Sequence, residues 1–306
     1  MKNRTYVTTF LILALLFTFS NAEAQQNYTN DKPAYIIYNS NGVKVTYSQM
    51  LKAVAATDIC FFGELHNDAM SHWLELELVK DLHRLKKTNL VVGAEMWEAD
   101  NQIVLDEMLN SKFIDFNTYI ESSVLWSNFT TDYKPILQYA HKNEIPFVAT
   151  NVPRRYARIV SKRGEAALDS LSPKAKSYIA PLPIPMDFNN KFYEYIANVF
   201  KETMHSSLSS IALGNLVKAQ MVKDATMAHF IVTNLPKGGY FFHFNGELHS
   251  AFNSAIGHYV KIYAPNLRFK TISIIQKQNV NSFSANESRA DFNIVIPANM
   301  SVSYVN

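Results

Sequence analysis

Cysteine and net charge are both scarce in this sequence. Its 306 residues include a single cysteine, Cys60, so no disulfide can form within one chain. Cys60 is also far from the N-terminus and cannot be the lipid-bearing cysteine of a lipoprotein. The apolar run around it predicts a strand, in which this thiol is an inert core residue. The net charge is +3, too small to indicate binding to nucleic acid or to an anionic membrane surface.

Long apolar runs are missing beyond the N-terminus, so no later segment is expected to span a bilayer. The N-terminus has the parts of a signal peptide: the positive residues Lys2 and Arg4, an apolar centre at residues 10–17, and a small-x-small cleavage site before Gln25. We expect residues 1–24 to be removed and the mature protein to be exported to the periplasm or the extracellular space. The alternative is a membrane anchor that stays attached.

One tetrapeptide, Gly-Glu-Leu-His, occurs twice, at residues 63–66 and 246–249. Each copy follows a short apolar run rich in aromatic or β-branched residues, which predicts a buried strand. A glycine and the apparent start of a helix come next. Such strand–turn–helix junctions lie along the carboxyl edge of an open α/β sheet, where ligands bind. We therefore expect His66 and His249 to face one shared pocket.

The order of the remaining segments predicts an α/β domain over residues 25–306. A strand, a helix starting near Ser71 and a second strand imply a right-handed parallel unit, and an N-terminal hairpin adds an antiparallel edge. We expect a three-layer domain with a mixed, mostly parallel sheet and helices on both faces. The predicted hairpin and later strands occupy residues 35–38, 43–46, 59–62, 90–96, 145–149, 240–244, 269–276 and 292–296.

The pattern changes between about residues 164 and 210, where no good strand is present. Three prolines interrupt the chain between residues 181 and 185, and residues 187–205 form a helical segment rich in Phe, Tyr and Met. We interpret this stretch as an inserted helical cap, followed by one long helix at residues 208–234. Aromatic residues at helical spacing usually belong to a core, but a cap over a carboxyl-edge pocket must also line it, and this set suits a flat apolar ligand.

Two histidines and a glutamate at strand ends can bind a divalent metal such as zinc or iron. The residues in this pattern are His66, Glu95 and His249, and we predict that their side chains converge on one ion or one water. Glu64 and Glu247 are then candidate general bases beside a metal-bound water. The alternative is that both glutamates cap helices and both histidines are hydrogen-bonded structural groups.

Positive and phenolic side chains near the same edge suit an anionic ligand that carries carboxylates. Tyr133 and Lys134 begin a predicted helix, and Asn151 and Arg154 follow a predicted strand. The alternative interpretation is ordinary surface charge. A tyrosine or histidine from the cap could also ligate a haem iron from one side.

With these residues assembled, the chain resembles the ChaN-like haem-binding uptake proteins of the Tiki superfamily, from about residue 58 to 276. The resemblance implies a cell-envelope protein that binds haem between an α/β domain and a small helical one. It also implies a tyrosine ligand to iron, a possible homodimer that encloses stacked haems, and an outer-membrane haem transport partner. The matching segments are residues 63–67, 93–96, 133–135, 151–154, 224–228 and 246–249, together with Gln220.

The resemblance also indicates which residues could contact haem. Tyr193 and Tyr195 are candidates for the iron ligand by their position in the cap, with His205 as the next to test. Gln220 and Asp224 are further candidate haem contacts, because they lie in matching segments.

The wider superfamily contains metal-dependent peptidases whose paired Gly-x-x-His motifs carry the active site. His66 and His249 match those motifs, and Glu95 matches the acidic position. The leading prediction is therefore an exported haem-binding protein for iron acquisition, and the alternative is a metal-dependent hydrolase. A third possibility is a catalytically inactive scaffold that binds a partner protein.

Overall fold

A computed structural model describes residues 31–110, 113–203 and 208–304. The predicted signal peptide and His205 lie outside these residues. No helix within the described ranges is both long enough and apolar enough to cross a membrane.

The sheet has eight strands, and most of its pairings are parallel. The strands are β1 Ile36–Asn39, β2 Lys44–Val45, β3 Ile59–Glu64, β4 Leu90–Glu98, β5 Phe147–Asn151, β6 Tyr240–Gly246, β7 Phe269–Lys277 and β8 Phe292–Pro297. They are arranged in the order β2-β1-β8-β7-β3-β6-β4-β5. From β8 to β5 neighbouring strands are parallel, while β1 pairs antiparallel with β8 and β2. The predicted α/β class with a mixed, mostly parallel sheet is confirmed.

Helices cover both faces of the sheet. They are α1 Tyr47–Ala55, α2 Ala69–Lys86, α3 Gln102–Leu109, α4 Phe116–Ser122, α5 Lys134–Lys142, α6 Arg154–Arg163, α7 Pro173–Lys176, α8 Lys191–Thr203, α9 Ser210–Asn234 and α10 Ile256–Tyr263. Side chains alternate along a strand, so Phe62 packs in the core with α1 to α5 while Phe61 packs in the core with α6, α8, α9 and α10. The sheet is therefore the middle of three layers.

Helix α2 begins three residues earlier than the sequence predicted. Its N-cap is Asp68, whose carboxylate accepts a hydrogen bond of 2.7 Å from the backbone N–H of Ser71. Ser71 therefore lies inside the first turn and is not the cap. The earlier start brings His72 and Glu75, three residues apart on one helix face, to the end of β3.

Between α6 and β6 the described residues contain only helical elements. A 3-10 segment, Glu165–Ser170, is followed by α7, α8 and the long helix α9. Tyr193 and Ile196 of α8 are buried in the same core as Val222 of α9. The interpretation of this stretch as an inserted cap remains a prediction.

Two strand ends differ from the expected pattern. β6 is followed by a 3-10 turn, Glu247–His249, and the next α-helix begins only at Ile256. Strand β4 continues to Glu98, with an irregular register between Ala94 and Glu98. Glu95 therefore lies within an irregular part of β4 and not at its last residue.

Candidate functional site

The carboxyl ends of β3, β6, β4 and β5 are neighbours in the sheet, and a cleft of about 700 Å³ opens there. We call it the carboxyl-edge cleft. The predicted site residues that line it are Glu64, His66, Glu95, Asn151, Arg154, Gln220, Glu247 and His249. The shared edge follows from the parallel order, because parallel strands end on the same side of a sheet.

His249 lies between two carboxylates. Its Nε2 is 3.0 Å from Glu95 Oε1, and its Nδ1 is 2.5 Å from Asp224 Oδ1. Burial alone would lower the pKa of His249, but the negative charges of Glu95 and Asp224 outweigh burial and raise it to about 9. Burial would raise the pKa of Glu95, yet the His249 charge holds it well below its usual range. His249 is therefore an imidazolium held inside the protein at neutral pH.

A second set of contacts fixes this histidine and its partners. Tyr193 Oη donates to Asp224 Oδ2 over 2.9 Å, and the Gln220 side chain packs beside the His249 ring. The backbone N–H of Gly246 donates to Glu95 Oε2 over 2.8 Å, and the Asn151 side-chain amide donates to the Glu95 backbone carbonyl over 2.9 Å. The site thus joins β4, β5, β6, α8 and α9.

His66 is the more accessible of the two histidines, with 44% of its side chain exposed. Its Nδ1 is 2.8 Å from Glu64 Oε1, and its ring meets Trp126 edge-on at 4.9 Å between centroids. A side chain at position 246 would place a Cβ 2.7 Å from His66 Nε2, so only Gly246 permits this approach. Burial would lower the pKa of His66, but the bond to Glu64 and the charge of Glu95 raise it.

Tyr133 and Lys134 do not line the cleft. A π-helical turn, Phe129–Tyr133, precedes α5 and directs the buried Tyr133 hydroxyl to Glu64 Oε1, where it donates over 2.7 Å. Burial raises the pKa of this phenol, which keeps it a proton donor. Lys134 lies over the ring of Phe116, 5.7 Å from its centroid.

The tyrosines predicted in the cap are not cleft residues either. Tyr193 is fully buried and its hydroxyl is bonded to Asp224, while burial raises its pKa well above the usual range. Tyr195 packs against the rings of Phe192 and Phe252. Neither phenol is directed at the carboxyl-edge cleft in this arrangement.

The predicted metal ligands form a charged network and not a compact ligand group. Among residues 31–110, 113–203 and 208–304, the one group of three whose ligand atoms lie within 4.8 Å of each other is Glu64, His72 and Glu75. Glu247 accepts from Ser273 Oγ on one oxygen and from Arg289 on the other. A metal-dependent hydrolase needs ligands clustered around one metal ion and a general base that has no other hydrogen-bond partners. The geometry of these residues therefore does not favour the hydrolase alternative.

Sequence reasoning missed several cleft residues. Lys223 precedes Asp224 on α9, so the helical pattern around that motif could have indicated it. Tyr304 comes from the C-terminal segment, which Ser303 anchors by donating to Asp132 over 2.8 Å. No periodic pattern connected that segment to the cleft. The other unpredicted lining residues include Leu65, Met96, Trp126 and Ile196. Phe200 also lines the cleft, and it belongs to the aromatic segment at residues 187–205 that was expected to do so.

The comparisons with known proteins identify the family of this chain. Residues 50–260 match the family model described as haem-binding uptake, Tiki superfamily, ChaN. The chain belongs to this family. A comparison with curated proteins found no match.

One solved structure of a ChaN protein has the same fold as this chain. The structure of ChaN of Campylobacter jejuni, described as binding haem cofacially, superimposes with a TM-score of 0.68 at 14% sequence identity. That match covers 86% of this chain and 97% of the Campylobacter chain. A Bacillus cereus protein gives a TM-score of 0.44 at 12% identity, covering 79% of this chain and 72% of that one. The first likeness supports the fold.

Proposed function

We propose that this protein binds haem in the carboxyl-edge cleft and serves haem uptake outside the cytoplasm. The match of residues 50–260 to the haem-binding ChaN family carries the proposal. The cofacial haem binding of the Campylobacter ChaN supports the same ligand.

The residues of the cleft fit the chemistry of haem. Its volume of about 700 Å³ lies in the range of about 300–1,000 Å³ typical of small-molecule sites. Trp126 and Phe200 offer apolar surface to a flat ring, and Arg154 and Lys223 offer cations to carboxylates. When bound, haem would supply an iron that takes nitrogen or oxygen ligands from side chains.

His66 is the side chain best placed to ligate iron. Its Nδ1 is hydrogen-bonded to Glu64, which leaves Nε2 on the side of Gly246 and the cleft. A ligating histidine commonly donates its other ring N–H to a carboxylate, which orients the ring and raises its basicity. Tyr304 also lines the cleft and replaces the cap tyrosines as the candidate phenolate ligand.

Titration of the purified protein with haemin, followed by visible absorption, tests the proposal. We expect a shifted Soret band that saturates. His66→Ala should change the band and weaken binding at least tenfold, whereas Tyr195→Phe, a cap substitution away from the cleft, should alter neither. A wild-type protein without a saturating band contradicts haem binding itself. Normal binding by both His66→Ala and Tyr304→Phe contradicts the assignment to this cleft.

Export and assembly are further parts of the proposal. The sequence supports cleavage before Gln25, and the intact mass of envelope-purified protein tests it, since a full precursor mass contradicts it. A homodimer that encloses haem should appear as a doubled mass by light scattering once haemin is added. An outer-membrane haem transport partner should co-purify with the haem-loaded protein from the envelope.

A further inference from the structure

We propose that Glu64, His72 and Glu75 bind a divalent first-row cation, with Zn²⁺ as the best match, in a closed site beneath the carboxyl-edge cleft. The site shares Glu64 with the lining of the haem cleft, but His72 and Glu75 do not line the cleft, and the site does not use the histidines that the sequence predicted as metal ligands. It joins the last residue of β3 to the first turns of α2.

The distances among the three side chains are those of metal ligands. His72 Nδ1 lies 3.1 Å from Glu75 Oε2 and 3.7 Å from Glu64 Oε2. Each residue offers a ligand atom within 4.8 Å of the others. Tetrahedral zinc with bonds of about 2.0–2.1 Å to nitrogen and oxygen separates its ligand atoms by about 3.3 Å, which lies between the two observed values.

The tautomer of His72 leaves a lone pair directed at the carboxylates. Its Nε2 is 3.2 Å from the backbone carbonyl of His66 and 3.4 Å from Asp132 Oδ2, and both of these are acceptors. Nε2 therefore carries the proton in a neutral imidazole, and Nδ1 is unprotonated. The Nδ1 lone pair and the two carboxylates that it faces repel each other unless a cation or a proton lies between them. The Nε2–H bonds are also the outer contacts that metal-ligating histidines usually make.

Buried oxygen atoms without partners provide a second, independent observation. Glu64 Oε2 and Glu75 Oε1 accept no hydrogen bond from a protein N–H or hydroxyl donor, although both side chains are fully buried and the two carboxyl groups lie against each other. No lysine or arginine in the described part of the chain forms an ion pair with either carboxylate; their ionic contacts are with His66 and His72. Buried carboxylates are costly unless they are paired or coordinate a metal.

The proposed cation would also hold the cleft in place. Glu64 Oε1 is bonded to His66 and Tyr133, so a cation on Oε2 fixes the carboxylate that orients His66. Asp132 is a positioning residue, because it lies next to His72 Nε2 and is itself bonded by Asn128 and Ser303.

Metal content and zinc titration of the haem-free, full-length protein test the proposal. We expect about one equivalent of metal after purification, and its loss after EDTA treatment. Adding Zn²⁺ at about one hundred times its Kd should then raise Tm by about 5–10 °C. Glu75→Gln should weaken zinc binding by about 100-fold or more, and Asp132→Asn by about 10–100-fold.

Two control variants separate this site from its alternatives. Glu77→Gln removes a charge from the same helix, at a residue paired with Lys80 near the surface, and should bind zinc like the wild type. His249→Gln alters the cleft and should also retain the metal. A wild-type protein with no bound metal and no zinc-dependent rise in Tm overturns the proposal in favour of a proton shared by Glu64 and Glu75. Zinc lost from His249→Gln but kept by Glu75→Gln also overturns it, by assigning the metal to the cleft.

Discussion

The two copies of Gly-Glu-Leu-His have the same sequence and different surroundings. In the first copy, Glu64 turns into the protein and bonds the half-exposed His66. In the second, Glu247 turns towards Arg289 while His249 is buried between Glu95 and Asp224. Both histidines line the cleft, but His66 is half exposed there while His249 is buried in a charged network.

The difference arises from strand register. Glu64 is the last residue of β3 and aligns with Gly246 of β6, so the two tetrapeptides are offset by one residue across the sheet. A shift of one residue directs a side chain to the opposite face. The second copy then folds into a 3-10 turn, which carries His249 back towards Glu95. Two copies of one tetrapeptide therefore have the same role only if their strand register is also the same.

The largest expected effect distinguishes the two glutamates. Glu64→Ala leaves a cavity and removes the acceptor of the buried Tyr133 hydroxyl, and should lower the free energy of unfolding by about 3–5 kcal/mol. Glu247→Ala removes a carboxylate whose cationic partner, Arg289, is 40% exposed, and should cost about 1 kcal/mol. Urea unfolding measures both. Equal losses would mean that the two copies are equivalent.

The second largest effect is a pH dependence of the free energy of unfolding, which arises from His249 in the second copy of the tetrapeptide. The pKa of His249 is about 9 in the folded protein and about 6.5 in an unfolded chain. A raised pKa stabilises the fold fully below pH 6.5, and this stabilisation is lost as pH rises through 9. The free energy of unfolding should therefore fall by about 3 kcal/mol over that window. Urea unfolding at several pH values should show a much smaller slope for His249→Gln; the same slope in both proteins contradicts the assignment.

A smaller effect tests how far the second copy depends on α8. Tyr193→Phe leaves Asp224 Oδ2 without its donor inside the core, which should cost about 1–3 kcal/mol. Tyr195→Phe removes a hydroxyl from the same helix, from a ring that packs against Phe192 and Phe252, and should change stability by less than about 0.5 kcal/mol. Thermal unfolding of the two variants gives the comparison. A Tyr193→Phe protein as stable as Tyr195→Phe would show that α8 does not support His249.

The smallest stability change is expected for the exposed histidine. His66→Ala should cost less than about 1 kcal/mol, because 44% of its side chain is in solvent and Tyr133 still donates to Glu64 Oε1. The same substitution should weaken haem binding at least tenfold, as the proposed function requires. The free energy of unfolding, measured with urea, should therefore change little, while the affinity for haem, measured by haemin titration, should fall. A variant that loses stability and binding in proportion would make His66 a structural residue.

Much of the fold could be predicted from the sequence, because local patterns determine it. Apolar runs marked the strands, and the strand–glycine motifs placed His66 and His249 at the carboxyl ends of β3 and β6, which the structure brings to one cleft. The buried Cys60, at 0% exposure, also agrees with its strand.

The side-chain partners could not be predicted, because they depend on long-range geometry. Helix α2 begins after its N-cap Asp68 and packs with His72 and Glu75 against the last residue of β3, a contact that no local pattern showed. The ring of Tyr193 was expected to face a ligand, but its hydroxyl bonds a buried carboxylate from another helix. Tyr304 reaches the cleft from a segment without any periodic pattern.

The parallel pairing of β3 with β6 also has a consequence for the order of folding. These strands are neighbours in the sheet, yet α2 to α9 separate them along the chain. A growing polypeptide therefore carries Glu64 and His66 long before His249 exists, and joining the two halves requires closing a long loop, which is entropically costly and slow. A nascent chain that ends before β6 has no complete cleft. Under the proposed function, such a chain would offer haem only part of the cleft, so tight haem binding would require that synthesis and folding are both complete.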